Sequence, residues 1–282
     1  MLQEYLDFVR EREAIRIRKE SGSAPPWTDD PILSTGYFCN VRRNDDRVTK
    51  WLREHWFGPN HKSDDLWFLS AVARNVNLPA TLSRVSLPLP WDAERFISEM
   101  AAAAERGSPI YNNAYMIRAG ATNGDTKASY LAHRMFTPLW ERRETLRPRW
   151  GDSLAEFHNR LSGQHGFGSF LAQQVVADVM YYEPLADAPD WYSFCAEGPG
   201  SVQGMNAILG RPLRQKFVGD EFKLEVGKLQ ETVNTRLGFK PALHRQDCTN
   251  TLCEYSKYFK AKYGITHPKR RYIPYKQVVV DP

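Results

Sequence analysis

The stretch Ser169 to Tyr181 (SFLAQQVVADVMY), entered through the glycine-punctuated run GQHGFG, is apolar on nearly every helical face. A helix apolar all round has to be enclosed by other elements, so this one is central and the rest of the chain must wrap it. The remaining pattern supplies further helices. Leu6, Phe8, Val9, Ile15 and Ile17 stand among charges over residues 3–20, an amphipathic spacing, and Ser21-Gly22 ends it. Three prolines in APPWTDDPIL forbid regular hydrogen bonding, leaving an ordered crossing loop or a helix start at Asp30-Pro31. Helices are expected from about Asp45 to His55, Asp64 to Asn75 and Trp91 to Arg106, then through an arginine-rich stretch from Arg134 to Arg149. Strict alternation is scarce, and only YIPYKQVVV at 272–280 looks β-like. The expected architecture is mainly α: one compact helical catalytic domain over 1–282, with lobes of about 1–160 and 161–282 around a cleft and a basic C-terminal segment, 257–282.

Charge and composition bound the function. Lys+Arg number 38 against Asp+Glu 33, a formal charge of +5, and no run approaches the roughly 18 apolar residues of a membrane helix. The first twenty residues carry charges throughout, unlike a signal peptide, so membrane and secreted readings are set aside. Four cysteines (Cys39, Cys195, Cys248, Cys253), none in a CxxC pair, fit a reducing compartment and no structural metal. Aromatic residues reach 12%, several beside Arg or Lys. That mixture serves a nucleic-acid surface, where rings stack on bases and cations meet phosphates; equally, it serves a core built from rings with a solvated basic rim.

Four segments carry candidate chemistry. Gly198-Pro199-Gly200-Ser201 precedes an apolar helical run, and amides at the start of that helix can take a phosphate oxygen, as in a helix-hairpin-helix; the plainer reading is an inter-helix turn. On a helix, Asp247, Asn250, Glu254 and Lys257 share one face: a paired surface stripe if it meets solvent, a carboxylate, amide and cation in line if it meets a cleft. In RRNDDR at 42–47, adjacent cations and carboxylates either bind phosphate or form an exposed ion-pair network. Between Lys257 and Lys276 there are cations and no acidic residue, a tract suited to DNA-backbone contact through Lys269, Arg270 and Arg271. No GxxxxGK[ST], GxGxxG after a strand, or HExxH occurs, and the histidines, His244 included, are scattered singly and receive no role.

Five blocks, PPWTDDPIL (25–33), FCNVRRNDD (38–46), GFGSFLAQQVVADVMY (166–181), GPGSVQG (198–204) and NTLCEYSKY (250–258), resemble one family over nearly the whole chain. It is the alpha-glutamyl/putrescinyl thymine pyrophosphorylase group, the amino acid:DNA transferases of phages with hypermodified thymine; the same helical domain is also described as 5-hydroxymethyluracil DNA kinase. The resemblance implies a helical fold distantly similar to helix-hairpin-helix DNA glycosylases. It also implies an amine, from an amino acid or polyamine, displacing the (pyro)phosphate of phosphorylated 5-hydroxymethyluracil in double-stranded DNA, alongside a DNA kinase partner. The implied setting is the cytoplasm of an infected bacterium, on DNA.

Such a reaction extrudes the base, stabilises departing phosphate and keeps the amine unprotonated. Arg42 and Arg43, with Lys127 and Lys257, are the expected phosphate ligands. Asp178, Asp247 and Glu254 are the expected proton acceptors. Asp178, in an apolar helix, is either a base or half of a buried ion pair. Asn40, Gln174 and Asn250 carry amides for the uracil edge, and Trp27 or Tyr115 a ring to stack on it. Asp220, where a glycosylase carboxylate would fall, sits in a polar turn and is not assigned. No organic cofactor motif is visible, and a divalent metal assisting at phosphate stays open. A hydroxymethyluracil DNA kinase, a base-excising glycosylase and a non-catalytic DNA-binding partner are the competing readings.

Overall fold

The computed structural model describes residues 1–107, 109–112 and 125–266. Tyr115, Lys269, Arg270, Arg271 and the expected strand at 272–280 lie outside the described residues. Within them the chain is mainly helical and forms no strand. The principal helices, in chain order, are α1 (Leu2–Glu20), α2 (Leu66–Val76), α3 (Ala93–Ala104), α4 (Leu154–Ser162), α5 (Gly168–Val179), α6 (Pro199–Leu209), α7 (Glu221–Leu237) and α8 (Arg245–Lys262), with shorter helical pieces between them. They fall into two compact units, Met1–Asp46 with Tyr192–Pro282, and Arg47–Trp191, so the boundaries lie at 46/47 and 191/192 rather than at one cut near 160.

In the first unit α1, α6, α7 and α8 share an apolar core. α1 carries Glu4 in its first turn and Arg18 and Lys19 in its last, matching its dipole, and buries Tyr5, Leu6, Phe8, Val9 and Ile15. Tyr5 meets Tyr255 edge-on with ring centres 5.3 Å apart, and Phe8 lies 5.1 Å from Tyr258. Asp30 caps the short helix Pro31–Thr35 by accepting the Ile32 and Leu33 N–H groups at 2.8 and 2.9 Å, which settles the proline-rich segment as a helix start.

In the second unit α5 buries every residue from Ala172 to Val179 and packs against α2 and α4. α4 opens on a reciprocal cap in which Ser153 accepts the Glu156 N–H and Glu156 accepts the Ser153 N–H. Phe68 lies 5.1 Å from Trp140 and 6.2 Å from Phe136, and Trp91 5.5 Å from Phe136, so these rings build a core. The helix expected from Asp45 to His55 is broken: a 3-10 turn spans Arg43–Asp45, α-helix spans Arg47–Leu52, and a π-helical turn spans Arg53–Phe57. The break falls at Asp46, which is extended and whose side chain accepts the Asn40 N–H at 2.9 Å. The arginine-rich stretch is likewise interrupted, a π-helical turn at Tyr130–Phe136 giving way to Thr137–Glu141 and Arg143–Leu146.

Candidate functional site

The polar stripe of α8 faces inward, against the segment Cys39–Arg43, and the solvent-facing alternative is corrected. Glu254 accepts the Cys39 N–H at 3.0 Å, Asn250 Nδ2 donates to the Asn40 carbonyl at 2.9 Å, and Asp247 accepts the Arg43 N–H at 3.3 Å. One face of one helix thus satisfies a run of extended backbone that has no sheet partner, as burial demands. From the other side Arg12, buried on α1, donates to the Phe38 and Cys39 carbonyls at 3.1 and 3.2 Å. Burial, with Glu254 and Asp46 close by, pushes the Cys39 thiol well up, so it stays protonated.

Asp247, 2% exposed, lies at the first turn of this helix. His244 caps the helix by accepting the Asp247 N–H at Nδ1, 3.2 Å, which leaves the proton of a neutral imidazole on Nε2, 3.4 Å from Asp247 Oδ2. Arg42 Nη1 stands 4.0 Å from the same oxygen, while its other nitrogen donates to the Pro241 carbonyl. Burial pushes the Asp247 carboxyl up to about 7 against the opposing pull of the Arg43 N–H and Arg42, with Asp45 adding to the rise. Burial, with Arg42, pushes His244 down to about 4.

The two shifts have opposite consequences for stability. The contribution of Asp247 is complete below its ordinary value of 3.8 and is lost as pH rises to about 7. That of His244 is complete above 6.5 and is lost as pH falls to about 4. The slopes oppose one another in the wild type. Asp247→Asn is expected to leave a urea midpoint that rises from pH 4.5 to pH 6.5, and His244→Asn one that falls over the same range, each corresponding to a stability change of about 2 kcal/mol. Urea titrations at four pH values check this, and identical profiles in all three proteins would overturn it.

α8 packs its opposite side on α6, and here the glycines of GPGSVQG find their use. A Cβ on Gly204 would lie 2.1 Å from the Leu252 carbonyl oxygen, and one on Gly200 would lie 2.3 Å from Cys253 Sγ. The helices therefore touch through bare backbone at Gly204, while Gly200, four residues earlier, makes room for the Cys253 side chain. Gly198, Gly200 and Ser201 do not form an open phosphate loop: Ser201 is 4% exposed, and its hydroxyl bonds with both the N–H and the carbonyl of Gly198. The helix start still leaves the amides of Gly200 and Ser201 ahead of the first helical bond, Val202 N–H to the Gly198 carbonyl at 3.0 Å. Two lysines of α8 lie near α6: Lys260 reaches its second turn, and Lys257 stands one turn from Cys253, whose sulfur faces Gly200. Lys260 donates to Gln203 of α6 at 2.9 Å, and Lys257, half-exposed, pairs with Glu254 at 2.6 Å. Burial opposes the Lys257 charge, but Glu254, Cys39 and Cys253 outweigh it and hold the ammonium above its ordinary value. Lys260 is lowered by burial, with Lys257 and Arg214 as neighbouring cations.

The other expected residues are distributed as follows. Arg43 is buried at 8% and so is no open phosphate fork. Trp27 donates to the Ser23 carbonyl at 2.7 Å and lies under the Lys19 ammonium, 4.6 Å from its ring centre. Lys127, Gln174 and Asp178 belong to the second unit. Lys127 sits 3.9 Å over the Tyr111 ring and is lowered by burial. Asp178 is half of a buried pair: Arg74 grips both carboxylate oxygens at 2.7 and 2.5 Å, and Ser70 donates at 2.7 Å. Sequence reasoning missed Arg12, Arg74, His244 and Gly204. The G-x-x-x-G spacing of Gly200 and Gly204 was a readable signal for the last; for the others no local pattern exists, because their partners are 26 to 104 residues away or depend on a cap.

A cavity of about 450 Å³ opens elsewhere in the first unit, lined by Glu4, Asp7, Glu11 and Asp30 with Tyr258 and Lys262. Burial alone would raise Glu4, but bonds from Lys262, Tyr255 and Tyr263 hold its carboxyl below the usual range.

The fold defines a mainly helical protein. The chain belongs to the family described as the helical domain of 5-hmdU DNA kinase, whose model matches residues 1–267. It is similar to a 5-hmdU DNA kinase of Bacillus phage SP10, 27% identical over 288 residues, covering 90% of this chain and 44% of that protein. The chain therefore spans less than half the length of this relative. No solved structure matches it.

Proposed function

We propose that this chain is the DNA-handling helical part of an enzyme that modifies 5-hydroxymethyluracil in phage DNA, and that the modification it serves is phosphoryl transfer to the hydroxymethyl oxygen. The observation that carries this reading is Lys260 of α8, which donates to Gln203 in the second turn of α6 at 2.9 Å, with Lys257 one turn from Cys253, whose sulfur faces Gly200. Membership of the kinase helical-domain family and the similarity to the phage kinase support the substrate. With no GxxxxGK[ST] in the sequence, the proposal gives this chain the DNA side of the reaction.

Two substitutions test it. Lys257→Ala with Lys260→Ala is expected to lower the slope of log affinity against log salt on hydroxymethyluracil duplex by about 2, near 0.9 per phosphate contact. Fluorescence anisotropy at five salt concentrations reads this, and an unchanged slope would remove the site. Nucleoside mass spectrometry of the same DNA after incubation with ATP and the ATP-binding part of the enzyme, with and without this chain, then reads the chemistry, phosphate gain that requires this chain being the expected result.

A second reading, displacement of a base-borne phosphate by an amine, draws on the cavity, whose lining sets four carboxylates, Glu4, Asp7, Glu11 and Asp30, beside the Tyr258 ring and two cations, Arg10 and Lys262, whose places a cationic amine could take. In it the amine nitrogen bonds to the exocyclic methylene carbon, the carbon–oxygen bond breaks, phosphate leaves and a carboxylate takes the amine proton. Asp178 and Glu254 are committed to Arg74, Cys39 and Lys257, and the 3% exposed Asp247 side chain acts on Arg42. The cavity carboxylates are held as well, Glu4 by Lys262, Asp7 by Arg10, Glu11 by Arg18 and Asp30 by Tyr258, so in this reading the incoming amine displaces one of these partners. Loss of phosphate with gain of one amine, from DNA already phosphorylated and a pool of amino acids and polyamines, would select this reading over the first.

A further inference from the structure

The turn Arg149–Asp152 in the second unit is framed more firmly than a connection between surface helices requires. The Arg149 carbonyl accepts the Asp152 N–H at 3.1 Å, and Gly151 supplies the φ of +86° that a type II turn needs at its third position. Asp152 in turn accepts the Arg149 N–H at 2.6 Å, Arg160 grips both oxygens of that carboxylate, and Arg160 also donates to the Arg147 carbonyl at 3.2 Å. This frame holds out Trp150, which is 68% exposed, the most exposed of the described rings. Among the described residues Trp150 has no ring or cation partner, and no carboxylate lies within 4.0 Å of the guanidinium of its neighbour Arg149.

We propose that Trp150 is a stacking platform for an unpaired nucleobase, with Arg149 on the adjoining phosphate. The proposal rests on the reading that the substrate is DNA. Three features favour this occupant over a protein. Along the chain the ring is flanked by Arg147, Pro148, Arg149, Gly151 and Asp152, so cations rather than large apolar side chains adjoin it in sequence, a setting suited to stacking beside phosphate. The stretch Arg134–Arg149 holds five arginines against two glutamates, and the guanidinium groups of Arg134, Arg142 and Arg149 make no ion pair among the described residues, a charge pattern suited to a polyanion. A turn fixed in advance spares the ordering cost that a mobile ring would incur on stacking. An enzyme that alters a base in a duplex takes it out of the stack, which leaves bases without their neighbours for a ring to cover.

Fluorescence anisotropy with a fluorescein-labelled single strand of about 20 nucleotides, and with the fully paired duplex of the same sequence, tests the proposal. Trp150→Ala is expected to weaken single-strand binding by about 10-fold, Trp150→Phe to retain most of it, and both to bind paired duplex within about 2-fold of wild type. Arg149→Ala is expected to lower the salt slope on single strand by about 0.7. The ring is 68% exposed and has little packing to lose, so an unchanged urea midpoint keeps the comparison clean. If wild type binds DNA and Trp150→Ala binds the single strand equally well, the proposal falls while the DNA reading stands, and the turn passes to a protein partner. Equal losses on strand and duplex overturn the unpaired-base assignment. If wild type binds neither form, both readings fall.

Discussion

Asp178→Ala is expected to destabilise the second unit by about 3–5 kcal/mol, the usual consequence of removing one partner of a buried ion pair. The Arg74 side chain is 4% exposed and the Asp178 side chain fully buried, so the substitution strands a guanidinium whose remaining partners, Thr49 at 3.0 Å and Asn77 at 3.3 Å, are neutral. It also leaves the Ser70 hydroxyl without its carboxylate. The pair itself is a different quantity. Arg74→Met with Asp178→Leu removes both charges and is expected to recover most of the loss, because burial of the ions costs nearly as much as their attraction returns. Urea unfolding of the two singles and the double completes the cycle. Should Asp178→Ala unfold within 1 kcal/mol of wild type and yet lose activity on DNA, the residue would be a base and the pair incidental.

Gly204→Ala is expected to rank next, with a loss of about 3 kcal/mol, at the upper end for overpacking. The obstacle is the backbone oxygen of Leu252 at 2.1 Å, which cannot rotate away, so α6 and α8 must separate and lose packing along the seam. Gly200→Ala meets the Cys253 sulfur instead, and a side chain can be changed. The double variant Gly200→Ala, Cys253→Ala is expected to regain stability over Gly200→Ala, whereas no side-chain substitution rescues Gly204→Ala. Thermal unfolding of the four proteins distinguishes the cases. A Gly204→Ala protein as stable as wild type would mean that the helices are not in backbone contact. The same result bears on function, since separating α6 from α8 also draws Gln203 away from Lys260 and dismantles the phosphate site proposed beside α6.

Local pattern reached the helices because it is written within a turn or two. The apolar run of α5 announced its burial, the spacing of Leu6, Phe8, Val9 and Ile15 announced α1, and Asp30-Pro31 announced a capped helix start. The pattern failed between Asp45 and His55, where the competing bond from Asp46 to the Asn40 N–H is not encoded in helix propensity. It also left the α8 stripe undecided, since a polar face reads the same whether it meets water or the backbone of Cys39–Arg43.

The sequence by itself determined a mainly helical chain, an apolar helix buried from Ala172 to Val179 within its own unit, a surplus of positive charge and a family resemblance carried by five separated blocks. Tertiary structure alone decided what the charged residues are for. Asp247, Asn250 and Glu254 hold a distant extended segment, Asp178 holds Arg74, and the glycines of GPGSVQG admit a neighbouring helix. The physical reason is range: helix formation depends on residues three and four apart, whereas the cost of burying a charge depends on whichever groups the fold brings to it from anywhere in the chain.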